Sequence, residues 1–230
     1  ETILRDADAM AKGKAYFRLG GSAHSPDHRF LAYAVDERGS EYFELRIRDI
    51  ATGEDLADAI PATAGSMTWA ADSRTLFYVH MDENHRPSSV YRHVIGSDPA
   101  TDILVYAEAD PGFFVGVGST QSNAFILIST HDHETSEVRL VDALHPESEP
   151  RLVAERKTGE EYHLDHGDDR FFILTNAGGA EDFKIVTAPV AAPGRENWQD
   201  LVPHKAGRLI LHHTVLKRFL VRLERENSLP

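Results

Sequence analysis

The chain has 230 residues, 41% of them hydrophobic and 27% charged, an ordinary globular composition with no cysteine for disulfides or thiolate metal sites. Its 37 acidic against 24 basic side chains give a net charge of -13, which argues against a nucleic-acid partner, because phosphates attract Lys and Arg. No apolar run reaches the ~18 residues of a membrane-spanning helix, and the acidic, broken start has no signal-peptide core. The cysteine-free composition fits a cytoplasmic protein, with a periplasmic one left open.

Taken in chain order, residues 6–12 suit one or two helical turns with Asp6 as N-cap. The rest reads as strands in groups of four. The first group is 15–19, 29–35, 43–50 and 55–60, and the second is 66–69, 75–80, 89–95 and 102–107. A third spans 112–118, 125–130, 137–141 and 150–154, and a fourth 161–164, 170–175, 183–188 and 198–202. Strands 208–213 and 218–224 begin a fifth. In the stretch 30–35, apolar residues fall on both faces, as in a strand sandwiched between neighbouring sheets.

The groups repeat. A polar turn followed by an alternating strand recurs five times, aligning Arg29, Arg74, Ala124, Arg170 and Arg218 at spacings of 45, 50, 46 and 48 residues. Such a period marks repeated supersecondary units, and four strands per unit make them blades of a β-propeller. The fold class expected is therefore all-β, a single domain over 1–230 built of four-stranded antiparallel blades. Four full blades and part of a fifth predict an open arc of a larger ring, since a blade buries its faces only against other blades. An open arc also exposes sheet edges through which copies could self-associate.

Motifs that could carry chemistry are few. Gly20–His24 lacks the closing glycine of a nucleophile elbow and reads as an inter-strand turn. His131, Asp132, His133 and Glu134 are ligand-type residues, but neighbours on a hairpin tip diverge, so no metal site is expected. Gly116-Val117-Gly118 is too short for a phosphate loop, and Phe113 suits core packing. The stretch 79–89 reads as a longer polar loop than its counterparts, where function concentrates on a rigid scaffold. No catalytic set, cofactor site or metal site emerges.

Several strings go further: VHMDENHRPSSVYRHVIGSDPATDILVYAE, DPGFFVGVGST, STHDHETSEVRLVDA and HGDDRFFILTN. They resemble the propeller domain of the oligopeptidase B branch of the prolyl oligopeptidase family of serine peptidases, over essentially the whole chain. The resemblance implies a seven-bladed propeller capping an α/β-hydrolase domain that holds the Ser, Asp and His triad, so this chain alone is expected to be inactive. It implies oligopeptide substrates cleaved after Lys or Arg, with the hydrolase domain of the same parent as partner and no cofactor. The loop containing Asp82, Glu83, Asn84 and His85 is then expected to overhang the central cavity or the interdomain space. Phe114 and His133 match positions bordering the substrate pocket in that family, and Ala64 is small where those relatives carry an aromatic ring. The negative charge suits cationic peptides. A free-standing propeller serving as a binding scaffold is the alternative.

Overall fold

The computed structural model describes residues 3–227. Its one α-helix, α1 (Ala7–Ala11), starts where Asp6 accepts a 3.0 Å hydrogen bond from the Ala9 N–H. Everything else of regular structure is β, apart from two 3₁₀ turns.

Blade 1 comprises β1 (Arg18–His24), β2 (Phe30–Asp36), β3 (Phe43–Asp49) and the first half of β4 (Glu54–Trp69). The second half of β4 opens blade 2, followed by β5 (Thr75–Met81), β6 (Pro87–Val94) and β7 (Ile103–Ala107). Blade 3 is β8 (Phe114–Ser119), β9 (Phe125–His131), β10 (Ser136–Asp142) and β11 (Arg151–Leu152). Blade 4 is β12 (Tyr162–Gly167), β13 (Arg170–Thr175), β14 (Lys184–Pro189) and β15 (Gln199–Val202). A two-stranded sheet, β16 (Arg208–Leu216) and β17 (Phe219–Glu226), follows.

The sixteen-residue β4 joins two strands expected to be separate. Its start pairs with β3 (Leu45 opposite Ile60) and its end with β5 (Trp69 opposite Leu76). Left-handed backbone at Ala62 and Gly65, with φ of 55° and 81°, redirects the chain from one blade to the next. A four-strand blade thus hands over from its last strand to its neighbour's first.

Two expectations need correction. The first strand starts at Arg18 rather than 15 and runs through Gly20–His24, which is strand and not turn. The register slips between Leu19 and Ser22, and the glycines are there for clearance. A Cβ on Gly20 would lie 2.8 Å from the Phe43 ring, and one on Gly21 2.4 Å from the Gly65 carbonyl oxygen. The second concerns 79–89. Only residues 82–86 separate β5 from β6, a shorter link than 176–183 between β13 and β14, because pairing persists from Val79, opposite Val90, across a register slip after His80 to Met81, opposite Pro87.

Gly21 against Gly65, and Gly167 with its Cβ position 2.6 Å from Val215, show the first strands of adjacent blades drawn close together. These strands therefore line the axis. Between blades 1 and 2 lie Phe30, Ala32, Leu45, Trp69, Leu76 and Tyr78. Phe77 and Val79 meet Val115, Ile126 and Ile128 between blades 2 and 3. Val138 and Leu140 meet Tyr162, Phe171 and Ile173 between blades 3 and 4. Each fully buried large side chain contributes roughly 1.5–3 kcal/mol, so the cement is the inter-blade layer. A smaller cluster of Leu174, Ile185 and Ile210 holds the last sheet. The sheets are radial and do not close into a ring, as an open arc requires.

Antiparallel order sorts the connections. Turns between first and second strands share one face, here the turn face; links between second and third strands and between blades share the other, the link face. On the turn face, His28, Ser73 and Asn123 have φ of 61°, 57° and 57° at equivalent repeat positions. Those turns reach the next blade: Asp27 N donates to Ser73 Oγ at 3.1 Å, Ala71 N to Ala143 O at 2.8 Å, and Gln121 N to Asp165 Oδ1 at 2.7 Å.

Candidate functional site

The candidate site residues Asp82–His85, Phe114 and His133 fall on the link face. Asp82 begins the 82–86 turn, and its carboxylate accepts the N–H groups of Asn84 and Arg86 at 2.9 and 3.0 Å. The Arg86 guanidinium adds a third bond at 3.2 Å. Burial raises the pKa of Asp82, but these donors outweigh it and hold the carboxyl below its usual range. Asp82 therefore shapes the turn. Its carbonyl accepts the Tyr42 hydroxyl at 2.8 Å, and the His85 ring packs on Tyr42 at 4.3 Å, tying blade 2's turn to blade 1. Arg86 Nη1 reaches the Asp110 carbonyl at 3.2 Å. Glu83 and Asn84 project into solvent.

Phe114 opens β8, is 41% exposed, and meets His131 edge-on at 6.3 Å. His133 is exposed on the 132–135 turn. Asp132 is occupied by the Glu134 and Thr135 N–H groups at 2.8 and 2.7 Å, so the 131–134 cluster does not converge. Among the described residues no three His, Cys, Asp or Glu are grouped to hold a metal ion. Ala64 sits in the link between blades, half-buried against the Phe77 and Val115 layer.

The sequence reading missed the ion network beside this rim. Arg156 Nη2 lies 2.6 Å from Glu108 Oε2 and 3.4 Å from Glu137 Oε1, and its guanidinium stacks on Phe113 at 4.0 Å. Arg139 pairs with Glu137 at 2.5 Å and stacks on Tyr106, whose hydroxyl donates to Glu108 at 2.7 Å. Burial raises the pKa of Glu108, but Arg156, the Asp110 N–H and the Tyr106 hydroxyl hold it below the usual carboxylate range. Glu108 and Arg156 are 48 residues apart, about one repeat, which was the available signal.

The rim is thus short-looped, cross-linked between blades, and acidic at its edge. Glu83, Asp110 and Glu134 are exposed carboxylates without a basic partner among the described residues. Among the described residues of this rim, no serine or threonine hydroxyl is hydrogen-bonded to a histidine. Such an arrangement can border an opening and attract cations, and leaves covalent chemistry to other residues.

Radial four-stranded antiparallel sheets, stacked blade against blade, define a β-propeller. Residues 1–230 match the family model of the prolyl oligopeptidase N-terminal beta-propeller domain. The chain belongs to that family, whose members are serine peptidases, and is its propeller portion. It is 38% identical to dipeptidyl aminopeptidase BI of Pseudoxanthomonas mexicana over 100% of the chain and 32% of that protein. Protease 2 of Moraxella lacunata is 33% identical over 83% of the chain and 28% of its own length. Oligopeptidase B from Leishmania major shares the fold with a TM-score of 0.91 at 29% identity, covering 97% of this chain and 32% of that one. The chain thus spans about a third of the relatives it matches.

Proposed function

We propose that this propeller is the gate of an oligopeptidase, set over a serine hydrolase domain of the same polypeptide. The observation that carries this reading is the pinned rim. Tyr42 to Asp82, Arg86 to Asp110, and Arg156 between Glu108 and Glu137 cross-link adjacent blades. A rim fixed in that way keeps its aperture, admits extended peptides and rejects folded proteins. The exposed Glu83, Asp110 and Glu134 favour peptides with basic side chains, in keeping with cleavage after Lys or Arg. Phe114 and His133 border the path, and the 82–85 turn frames it. The chemistry is supplied by the hydrolase domain, so residues 1–230 alone do not cleave peptides. The absence of cysteine favours the cytoplasm as its place of work, with the periplasm as the alternative.

The test is hydrolysis by the full-length protein of a blocked Arg-linked chromogenic peptide, beside an unblocked dipeptide-linked one and a folded protein containing the same bond. Cleavage of the blocked peptide and sparing of the folded protein support the gate. Exclusive release of N-terminal dipeptides would replace the Lys/Arg reading with a dipeptidyl peptidase one, as one relative's name has it. Cleavage of the folded protein at the peptide's rate would remove the size filter.

A further inference from the structure

The turn face carries a feature the gate does not use. In blades 1 to 3 the turn between first and second strands hydrogen-bonds into the next blade. In blade 4 it shrinks to Asp168 and Asp169, between the paired Gly167 and Arg170, and makes no hydrogen bond to blade 5 among the described residues. Blades 4 and 5 are joined instead through their inner strands, where Asp165 Oδ2 accepts the Val215 N–H at 3.2 Å, and a groove of about 550 Å³ lies between them. That is within the ~300–1,000 Å³ of small-ligand sites.

Its chemistry is sorted by position. Phe172, Val215 and Leu220 supply an apolar floor. Asp168 stands exposed on the blade 4 lip, and Lys217 and Arg218 stand exposed on the blade 5 lip. Neither cation has an ion-pair partner among the described residues; the neighbouring Arg170 is already paired with Asp169 at 3.0 Å. At one end Ser122 Oγ and His166 Nδ1 lie 2.8 Å apart, a polar boundary built by blades 3 and 4 together. A negative lip, an apolar floor and a positive lip match a molecule with an ammonium, an apolar side chain and a carboxylate in that order.

We infer that this groove binds a short zwitterionic peptide with an apolar side chain, its amine toward Asp168 and its carboxylate toward Lys217 and Arg218. The site is on the face opposite the rim, so it stands whether or not the gate reading does. A peptide held there adds a link between the turns of blades 4 and 5, beside the Asp165–Val215 bond of their inner strands.

The experiment is equilibrium binding of Ala-Phe to the full-length protein, compared with N-acetyl-Ala-Phe and Ala-Phe-amide. Saturable binding in the millimolar range or tighter is expected, with each blocked form weaker by about threefold to fivefold, the worth of an exposed ion pair. Asp168→Asn should erase the preference for the free amine alone, and Lys217→Gln with Arg218→Gln the preference for the free carboxylate alone. Hydrolysis of the Arg-linked chromogenic peptide, measured in parallel, should not change in these variants. Absence of saturation, equal binding of free and blocked peptides, or unchanged preferences in both variants would overturn the site. Failure of hydrolysis in the unsubstituted protein would count against the gate reading and leave the groove to be judged on binding alone.

Discussion

The hydroxyl of Tyr162 accepts the backbone N–H of Val138 at 2.8 Å, joining blade 4's innermost strand to blade 3 inside a layer with no water access. The same hydroxyl donates to the Ala154 carbonyl at 2.7 Å. Burial pushes its pKa up to about 12, so it stays a donor throughout the physiological range. Removing only this oxygen leaves the buried N–H groups of Val138 and Ala154 and the buried Ala154 C=O without this partner. Tyr162→Phe should therefore destabilise the protein by about 1–3 kcal/mol. Chemical denaturation with an unchanged slope would show it, and a cost near zero would mean that water replaces the hydroxyl.

Gly21 allows a test of how closely the inner strands approach. A methyl there would meet the Gly65 carbonyl oxygen at 2.4 Å, whereas one on Gly118, also on an inner strand, would meet nothing within 4 Å. Gly21→Ala should cost roughly 1–3 kcal/mol, the usual range for overpacking. Gly118→Ala should be near neutral. Thermal midpoints of the two variants compared with the parent decide the matter; equal midpoints would mean that β1 shifts outward freely.

These two positions show what the sequence made legible. The repeat was readable because each turn needs polar residues and a left-handed backbone just before the aligned position, as at His28, Ser73 and Asn123. Strands of blades 3 and 4 fell within a residue or two of expectation for the same reason, with β13 at Arg170–Thr175, except that β12 runs to Gly167, three residues past the expected 161–164. Gly20 and Gly21 were misread because glycine marks both turns and close approaches. The partner that decides between them, Gly65, is far along the chain. On the rim, the exposed places of Glu83, Asn84 and His85 followed from their loop. The structural role of Asp82 and the Glu108–Arg156–Glu137 network depend on neighbours from other blades, which local pattern does not reveal.

That network gives a third prediction. Glu108 is 4% exposed at its side chain and receives Arg156, Tyr106 and the Asp110 N–H. Glu108→Gln removes the charge while keeping the shape, leaving Arg156 to Glu137 alone at 3.4 Å. Because Arg156 retains access to solvent, the loss should be about 1–3 kcal/mol, at the hydrogen-bond rather than the buried-charge end of the scale. A double-mutant cycle with Arg156→Met measures the coupling. A coupling near zero would make the network an exposed surface pairing.

The last prediction concerns acid. His213 is buried on β16, with Nε2 3.1 Å from the Phe172 carbonyl. Burial pulls its pKa below the ordinary histidine value, opposed by the Phe172 carbonyl and Asp165 and reinforced by His212 and His163. A histidine depressed in the folded state binds its proton more readily when unfolded, so stability rises with pH across the interval between the two values. The contribution is fully present above about 6.5, the unfolded value, and is lost as pH falls below it. His80, His163 and His166 are depressed by burial in the same direction. The depressed carboxyls Asp36 and Asp49 add a second loss, but only below about pH 4, where unfolded carboxylates take up protons. Denaturation midpoints should therefore fall in two stages on acidification. His213→Gln should flatten the first stage and leave the second. An unaltered first stage would place the responsible proton on His80, His163 or His166 rather than on His213.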